Sequence, residues 1–416
     1  MTSIGIVGAG VAGLHLGLFL QKHGIAATIH TEKTPEQQLD GPLSNIVIRS
    51  APTRARERFL GVNHWDGTNV DLSGLNVYVG GERRFAFSGD FAQPTIVVDM
   101  RMYYARLLED FAMRGGRVVI GALQAGDVER LAGEHDLMVM ASGRGSLANM
   151  FPRLAAHSPY STPQRLGVGG LYRGVAYPQP LGIDVPIAPG HGEFLIAPLY
   201  SFEPHLTVIY IQIIRGGAFE VLRHMRYEDD PRGFNAAVLG LMREYAPATY
   251  ARIDPSTFEL ARPLDLAHAA ITPTVRRGYV QLRNGRFAVA LGDAHVLLDP
   301  ITGQGANTAS HAAWVLGEAI RDSATFDEAF CRRVEQQIWS YARPVAEACN
   351  ARLRPPTAHV AELMVAAAHH KPIADAYANG FNRPDAFWEI LSSPERTAAF
   401  LKQYGWRGIP AAARAA

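Results

Sequence analysis

Two stretches of this 416-residue chain carry residue types suited to gripping one extended, phosphorylated ligand. Gly8-Ala9-Gly10-Val11-Ala12-Gly13 fits G-x-G-x-x-G. In that pattern the first glycine permits a tight turn, and the second lets a pyrophosphate approach backbone N–H groups at a helix N-terminus. The third lets helix and strand pack closely. Gly8, Gly10, Ala12 and Gly13 are therefore candidate cofactor-binding residues. Far downstream lie Gly292-Asp293 and then Asp299-Pro300-x-x-Gly303-Gln304-Gly305-Ala306-Asn307. An Asp at the end of a buried strand can accept hydrogen bonds from ligand hydroxyls. Glycines at a helix start let a flat ligand lie against the backbone, where partial positive charge and unpaired N–H groups gather. Two such sites far apart mean one long ligand touched twice, or two ligands.

The elements that must position them are legible. Ile4–Val7 is a short apolar run, as in a strand covered on both faces. Leu14, Leu16, Leu18 and Leu20 supply the apolar surface of the following helix, Gly24 ends it, and AATIHT gives a second strand. In this context the first motif reads as a dinucleotide site. The acid expected on the ribose comes one place late, as Glu32, which either reaches the ribose or is a solvated loop residue. Residues 279–291 read as a hairpin with a type I′ turn at Asn284-Gly285, its second arm ending in Gly292-Asp293. TASHAAWVLGEAI then reads as a helix. DMRMYYARLLEDFAMRGGRVVI reads as helix, Gly-Gly stop and strand. Arg101, in that helix's first turn, either contacts the cofactor or lies on the surface.

One ligand fits both sites: FAD, with its pyrophosphate on the first helix, its ribityl chain on Asp293 and its pyrimidine edge on the second helix. Reduced flavin carries negative charge around N1 and the C2 carbonyl, which a helix N-terminus stabilises.

Composition narrows the class. Lys plus Arg number 40 and Asp plus Glu 39, for a net charge of +1, and charges are mixed along the chain. That speaks against nucleic acid. No apolar run approaches the roughly 20 residues of a membrane span, and the N-terminus lacks a signal peptide, so a cytoplasmic protein is expected. Cys331 and Cys349 are too few and isolated for a disulfide framework or zinc site; buried thiols and no metal are expected. PAAARAA reads as a disordered tail.

Together these motifs resemble the class A-type flavoprotein monooxygenases. GIVGAGVAGLHLGLFL, GHGEFLIAPLYSF, YEDDPRGF, RIDPSTFELA and FNRPDAFWEILSSPER are similar to the styrene and indole monooxygenase branch, from residue 3 to about 400. The resemblance implies an α/β fold: a discontinuous Rossmann-like FAD-binding domain of the aromatic-hydroxylase type (1–160 with 275–345). It also implies a sheet-based substrate domain (161–274, with contributions from 45–98) and a helical C-terminal region (346–416). It implies the oxygenase of a two-component system and homodimers. A separate NADH-dependent flavin reductase delivers reduced FAD, O2 gives a C4a-(hydro)peroxyflavin, and oxygen passes to the C=C bond of a small apolar aromatic substrate. One-component hydroxylases carry Asp-Gly after a central strand; here Ser142-Gly143 stands there. An alkene needs no deprotonation, so no general acid–base pair is nominated; orientation and exclusion of water are the protein's tasks.

The stretch LSNIVIRSA (43–51) corresponds to the loop bordering flavin and substrate. Asn45 is nominated there as catalytic and flavin-contacting. Asn45 and Val47 resemble the styrene type. Arg49 stands where His or Met is expected, and flavin phosphates, a polar substrate group and solvent are all open to it. Leu72 and Leu75 look more like the indole type, or pack in a core; Thr95 matches neither. Ile301 completes the candidate pocket. EFLIAPLYSF and HLTVIYIQII read as strands of the substrate sheet, and Trp339, Phe387 and Trp388 as packing residues. A one-component NAD(P)H-dependent hydroxylase is the nearest rival. A halogenase lacks support, since no W-x-W-x-I-P occurs. A non-catalytic FAD-binding protein is the rival of another class.

Overall fold

The computed structural model describes residues 2–81 and 85–408; the proposed tail PAAARAA lies outside the described residues. Ser3–Val7 forms a strand, with Ile4 and Ile6 fully buried. It sits between Leu137–Met140 and Ala26–Thr31 in a six-stranded sheet. The order is Tyr279–Gln281, Phe287–Ala290, Leu137–Met140, Ser3–Val7, Ala26–Thr31, Arg117–Ile120, all parallel except the first. Such a sheet directs the C-terminal ends of its parallel strands to one edge, where ligands bind. The helix Val11–Lys22 is buried along its length from Val11 to Leu20. It is enclosed by this sheet and by the helices Met100–Met113 and Gly305–Arg321.

The 279–291 hairpin departs from expectation. Its strands pair Tyr279 with Val289 and Gln281 with Phe287. Gly285 has φ +83°, while Asn284 is not among the positive-φ residues. The Gly285 N–H donates to Leu282 O and the Leu282 N–H to Arg286 O. This is a three-residue loop with a left-handed glycine. A type I′ turn would need positive φ at Asn284 as well.

A second, eight-stranded sheet runs Leu266–Ala269, Leu166–Tyr172, Thr207–Ile213, Gly192–Pro198, Gly182–Ala188, Leu72–Val79, Phe85–Val97, Ile48–Arg49. Its apolar residues Leu72, Leu171, Ile183, Ala197 and Val208 join Ile48 and Leu43 in one buried cluster. The C-terminal helices cover its far part. Asn379, on the helix Lys371–Asn379, accepts from the Ala92 N–H and donates to Asp90 O. Residues 345 and 346, where the sequence suggested a boundary, both lie inside the continuous helix Glu328–Arg352. Trp339 and Phe387 pack against apolar clusters, and Trp388 Nε1 donates to Glu347 Oε2 at 3.0 Å. Cys331 and Cys349 are free and buried, and burial pushes both thiols up to about 12. No helix among the described residues is long and apolar enough to cross a membrane.

Candidate functional site

The first glycine motif divides its labour as its spacing suggests. Gly8 has φ +110°, and a Cβ there would stand 2.2 Å from Ala141 O; one on Gly13 would stand 2.0 Å from Gly8 O. Those two glycines serve the fold itself. Gly10 is different: a Cβ there would meet nothing within 4 Å. Gly10 is also the N-cap of Val11–Lys22, and no side chain caps the helix. The first-turn N–H groups at Val11, Ala12 and Gly13 have no intrahelical partners, and the space beside Gly10 is open. Glu32 is exposed and follows directly on Ala26–Thr31, the strand beside Ser3–Val7.

The second motif repeats this device. Asp299 Oδ1 accepts the Ile301 N–H at 3.0 Å and so caps the short turn Pro300–Thr302. Gly303, at φ +63°, turns the chain into the helix Gly305–Arg321. Gln304 offers this helix no side-chain cap, and a Cβ on Gly305 would again meet nothing within 4 Å. Gly292 joins the two motifs, because a Cβ there would lie 3.2 Å from Ala12 and 3.5 Å from Ala309. Asp293 follows at once. It is half-buried and accepts no hydrogen bond from the described residues. Burial pushes its carboxyl above the ordinary value, against the pull of Arg144. Two uncapped helix starts, an open cradle at each and a half-buried carboxylate beside them fit FAD: donors for its phosphates and pyrimidine edge, an acceptor for its polyol.

Asn307 faces inward. Its Oδ1 accepts from the Ser50 N–H and Thr53 Oγ1, and its Nδ2 donates to Ile48 O, all within 3.0 Å. It fastens the 48–53 segment to the second helix start, a role that the motif alone does not reveal. Ala306 is partly buried beside it and packs on the adjoining core.

Asn45 lies on an exposed loop, where its Nδ2 donates to Tyr104 Oη at 3.0 Å. The proposed pocket residues divide between faces. Val47 packs with Ile96, Trp65 and Tyr103. Leu72 pairs across the sheet with Thr95, and Leu75 with Gly89; both leucines belong to the cluster around Ile48 and Ala197. Ile301 joins Ala342 and Val345. Thr95 is fully buried, and its Oγ1 has no hydrogen-bond partner among the described residues.

Two arginines are buried in ion pairs. Arg49 does not face solvent. It is 2% exposed, donates from Nη1 to both oxygens of Glu57 at 3.1 and 3.2 Å, and lies against the Trp65 and Tyr103 rings. An arginine that deep requires a carboxylate, and Glu57, two turns along the next helix, supplies it. Arg101 is buried, not on the surface. It is held by Asp99 at 2.6 Å and Asp265 at 2.7 Å.

The Arg49 pair continues into a buried chain that the sequence reading missed. Tyr103 Oη donates to Glu57 Oε1 at 2.9 Å, and His15 Nε2 stands 2.7 Å from Tyr103 Oη. His15 Nδ1 stands 3.0 Å from Ser310 Oγ. Burial, aided by Arg56 and Arg49, lowers the imidazole to about 3. A neutral ring with its proton on Nε2 satisfies every contact. Burial pushes the Glu57 carboxyl up, while Arg49 and the Tyr103 hydroxyl pull it down.

Residues 143–252 match the family model described as the styrene monooxygenase A putative substrate binding domain. The styrene monooxygenase StyA of Pseudomonas fluorescens is 36% identical over 406 residues, covering 96% of this chain and 98% of that protein. Among solved structures, a triple mutant of the flavin-dependent brominase Bmp2 gives a TM-score of 0.66 at 16% identity, covering 97% of this chain and 99% of its own. A ternary complex of aklavinone-11 hydroxylase with FAD and aklavinone gives 0.58 at 16% identity, covering 85% of this chain and 69% of its own. At these identities the two structures speak to the fold alone.

Proposed function

The chain belongs to the styrene monooxygenase family, and from that premise we propose that it epoxidises a small apolar aromatic alkene of the styrene or indole type. In this reading reduced FAD reaches it from a separate flavin reductase that uses NADH. The observation that carries the reading is the pair of open, uncapped helix starts brought together at Gly292 in a chain alike to StyA along nearly its whole length.

Bound reduced FAD supplies the electrons that activate dioxygen. The residues do the rest. The N–H groups after Gly10 take the pyrophosphate charge, and Asp293 accepts from the ribityl hydroxyls. The N-terminus at Gly305 favours the anionic reduced ring by roughly 0.3–1 kcal/mol, up to about 2 where partly buried. Asn45 faces the flavin, and the alkene is offered apolar side chains from separate clusters: Leu72 and Leu75 from one, Val47 and Ile301 from two others. Thr95, opposite Leu72 in the sheet, carries a buried Oγ1 with no hydrogen-bond partner among the described residues. An alkene gives up no proton, so no buried base is required of it. On the same reading the chain is a cytoplasmic homodimer that meets its reductase transiently.

The test is to mix the pure chain, FAD and NADH without oxygen. No bleaching of the flavin is expected until a reductase is added, and styrenes or indole then yield epoxide-derived products in air. Rapid bleaching by the chain alone would favour a self-sufficient hydroxylase. A reduced-FAD system that leaves every alkene untouched would point to flavin binding without oxygenation.

A further inference from the structure

We infer that Tyr104 is a flavin-contacting and positioning residue: its hydroxyl fixes Asn45 on one side and donates toward the ribityl chain held by Asp293 on the other. This rests on the reading that FAD occupies the two glycine cradles. Residues 42–47 form no helix or strand, so their course depends on individual contacts. The Leu43 N–H donates to Leu264 O at 2.8 Å, and the Asn45 side chain is tied to Tyr104 Oη. Ser44 Oγ, 3.3 Å away, donates to Asn45 Oδ1. The amide plane is thereby set with one Nδ2 proton on Tyr104 and the other free.

Because Tyr104 Oη accepts the short 3.0 Å bond from Nδ2, its own proton is best used elsewhere; the return contact to Asn45 Oδ1 is 3.5 Å. Asp293 is close enough for its charge to act on this hydroxyl, which burial holds at about 12. Tyr104 therefore stays protonated and remains a donor. Asp293, when ionised, can only accept, and no described residue donates a hydrogen bond to it. A polyol hydroxyl between them accepts from Tyr104 and donates to Asp293, which satisfies all three groups. Tyr104 thus supplies the donor that a lone carboxylate leaves missing, and ties it to the loop bearing Asn45.

The experiment is a double-mutant cycle on reduced-FAD affinity, followed anaerobically by flavin fluorescence in the full chain. Tyr104→Phe keeps the ring and its packing, and an unchanged melting temperature checks this. The substitution is expected to weaken FAD binding three- to tenfold, the range for one hydrogen bond. Asn45→Ala in the Tyr104→Phe background should cost less than in the wild type, and the absorption band of bound oxidised FAD should shift in both single variants. Unchanged affinity in Tyr104→Phe, or effects that simply multiply, would overturn the inference while leaving the cradle reading intact. Failure of the wild-type chain to bind FAD would overturn both.

Discussion

Replacing Asp299 by Asn isolates one buried carboxyl that the fold uses at the second cradle. The side chain is 2% exposed, and Oδ1 caps the turn that leads to Gly303. Burial raises its carboxyl from 3.8 to about 6, against the opposing pull of the Ile301 N–H, Gln212 and Arg165; Glu193 adds to the rise. Between pH 4 and pH 6 the folded chain therefore holds a proton that the unfolded chain has released. That contribution to stability is complete below about pH 4, declines as pH rises, and is gone above pH 6. At about 1.4 kcal/mol per pH unit, the whole change is about 3 kcal/mol. Asn can still accept the Ile301 N–H, and its amide can donate to the otherwise unpartnered Gln212 Oε1. It cannot ionise. Urea unfolding of Asp299→Asn and wild type, followed by circular dichroism from pH 4 to pH 7.5, should show the variant gaining about 3 kcal/mol relative to wild type across that range. His15, His295 and His311, held neutral at about 3, 4 and 4, give the opposite slope in both proteins and cancel in the difference. A stability difference that stays constant with pH would refute the reasoning.

Three further outcomes are expected. Gly10→Ala should leave stability within about 0.5 kcal/mol of wild type yet block FAD binding in a titration, because the added methyl meets only the space kept for the ligand; Gly13→Ala, which collides with Gly8 O, should destabilise by about 1–3 kcal/mol, and equal melting of the two variants would contradict this division of roles. Arg49→Met should cost about 3–5 kcal/mol by stranding Glu57, and adding Glu57→Leu should recover much of that loss in chemical denaturation; no recovery would show that the pair is not the cause. Leu75→Phe should depress rates for bulky alkenes more than for styrene in product assays, and unaltered relative rates would make Leu75 a packing residue only.

Both glycine motifs, the strands that end in them and the helices that follow were legible because each signal is local. Gly8, Gly10 and Gly13 act within one turn, and period-two or period-3.6 apolar patterns declare themselves over a few residues. The arginines were not legible. Arg101 finds Asp265 on a distant part of the chain, and nothing near position 101 announces that partner. Arg49 finds Glu57 close by in sequence, but only the burial of their common surroundings turns an ordinary i,i+8 pair into an ion pair. The Asn284-Gly285 signal placed the turn correctly and mistook its type, because loop length depends on how the flanking strands register. Tyr104 escaped notice since its hydroxyl matters only beside Asn45, which belongs to a loop without regular structure. The helix running through residues 345–346 shows the same limit: an apolar pattern that persists gives no sign of which neighbour it packs against.

The fastening of Ile48, Ser50 and Thr53 by Asn307 has a consequence for synthesis on the ribosome. The 48–53 segment is encoded early but has no template until residue 307 is made. Asn382 Oδ1 then accepts the Ala51 N–H, and Phe381 O accepts from Gln304 Nε2. The first strand gains one of its neighbours, Leu137–Met140, long before Phe287–Ala290 can close that side of the sheet. At about 5–20 residues per second, the nascent chain spends on the order of tens of seconds with its N-terminal strands and first glycine motif present and the 48–53 segment unfastened. Shortening the chain before residue 382 therefore removes a contact that holds residues 48–53 beside a site whose first motif begins at residue 8.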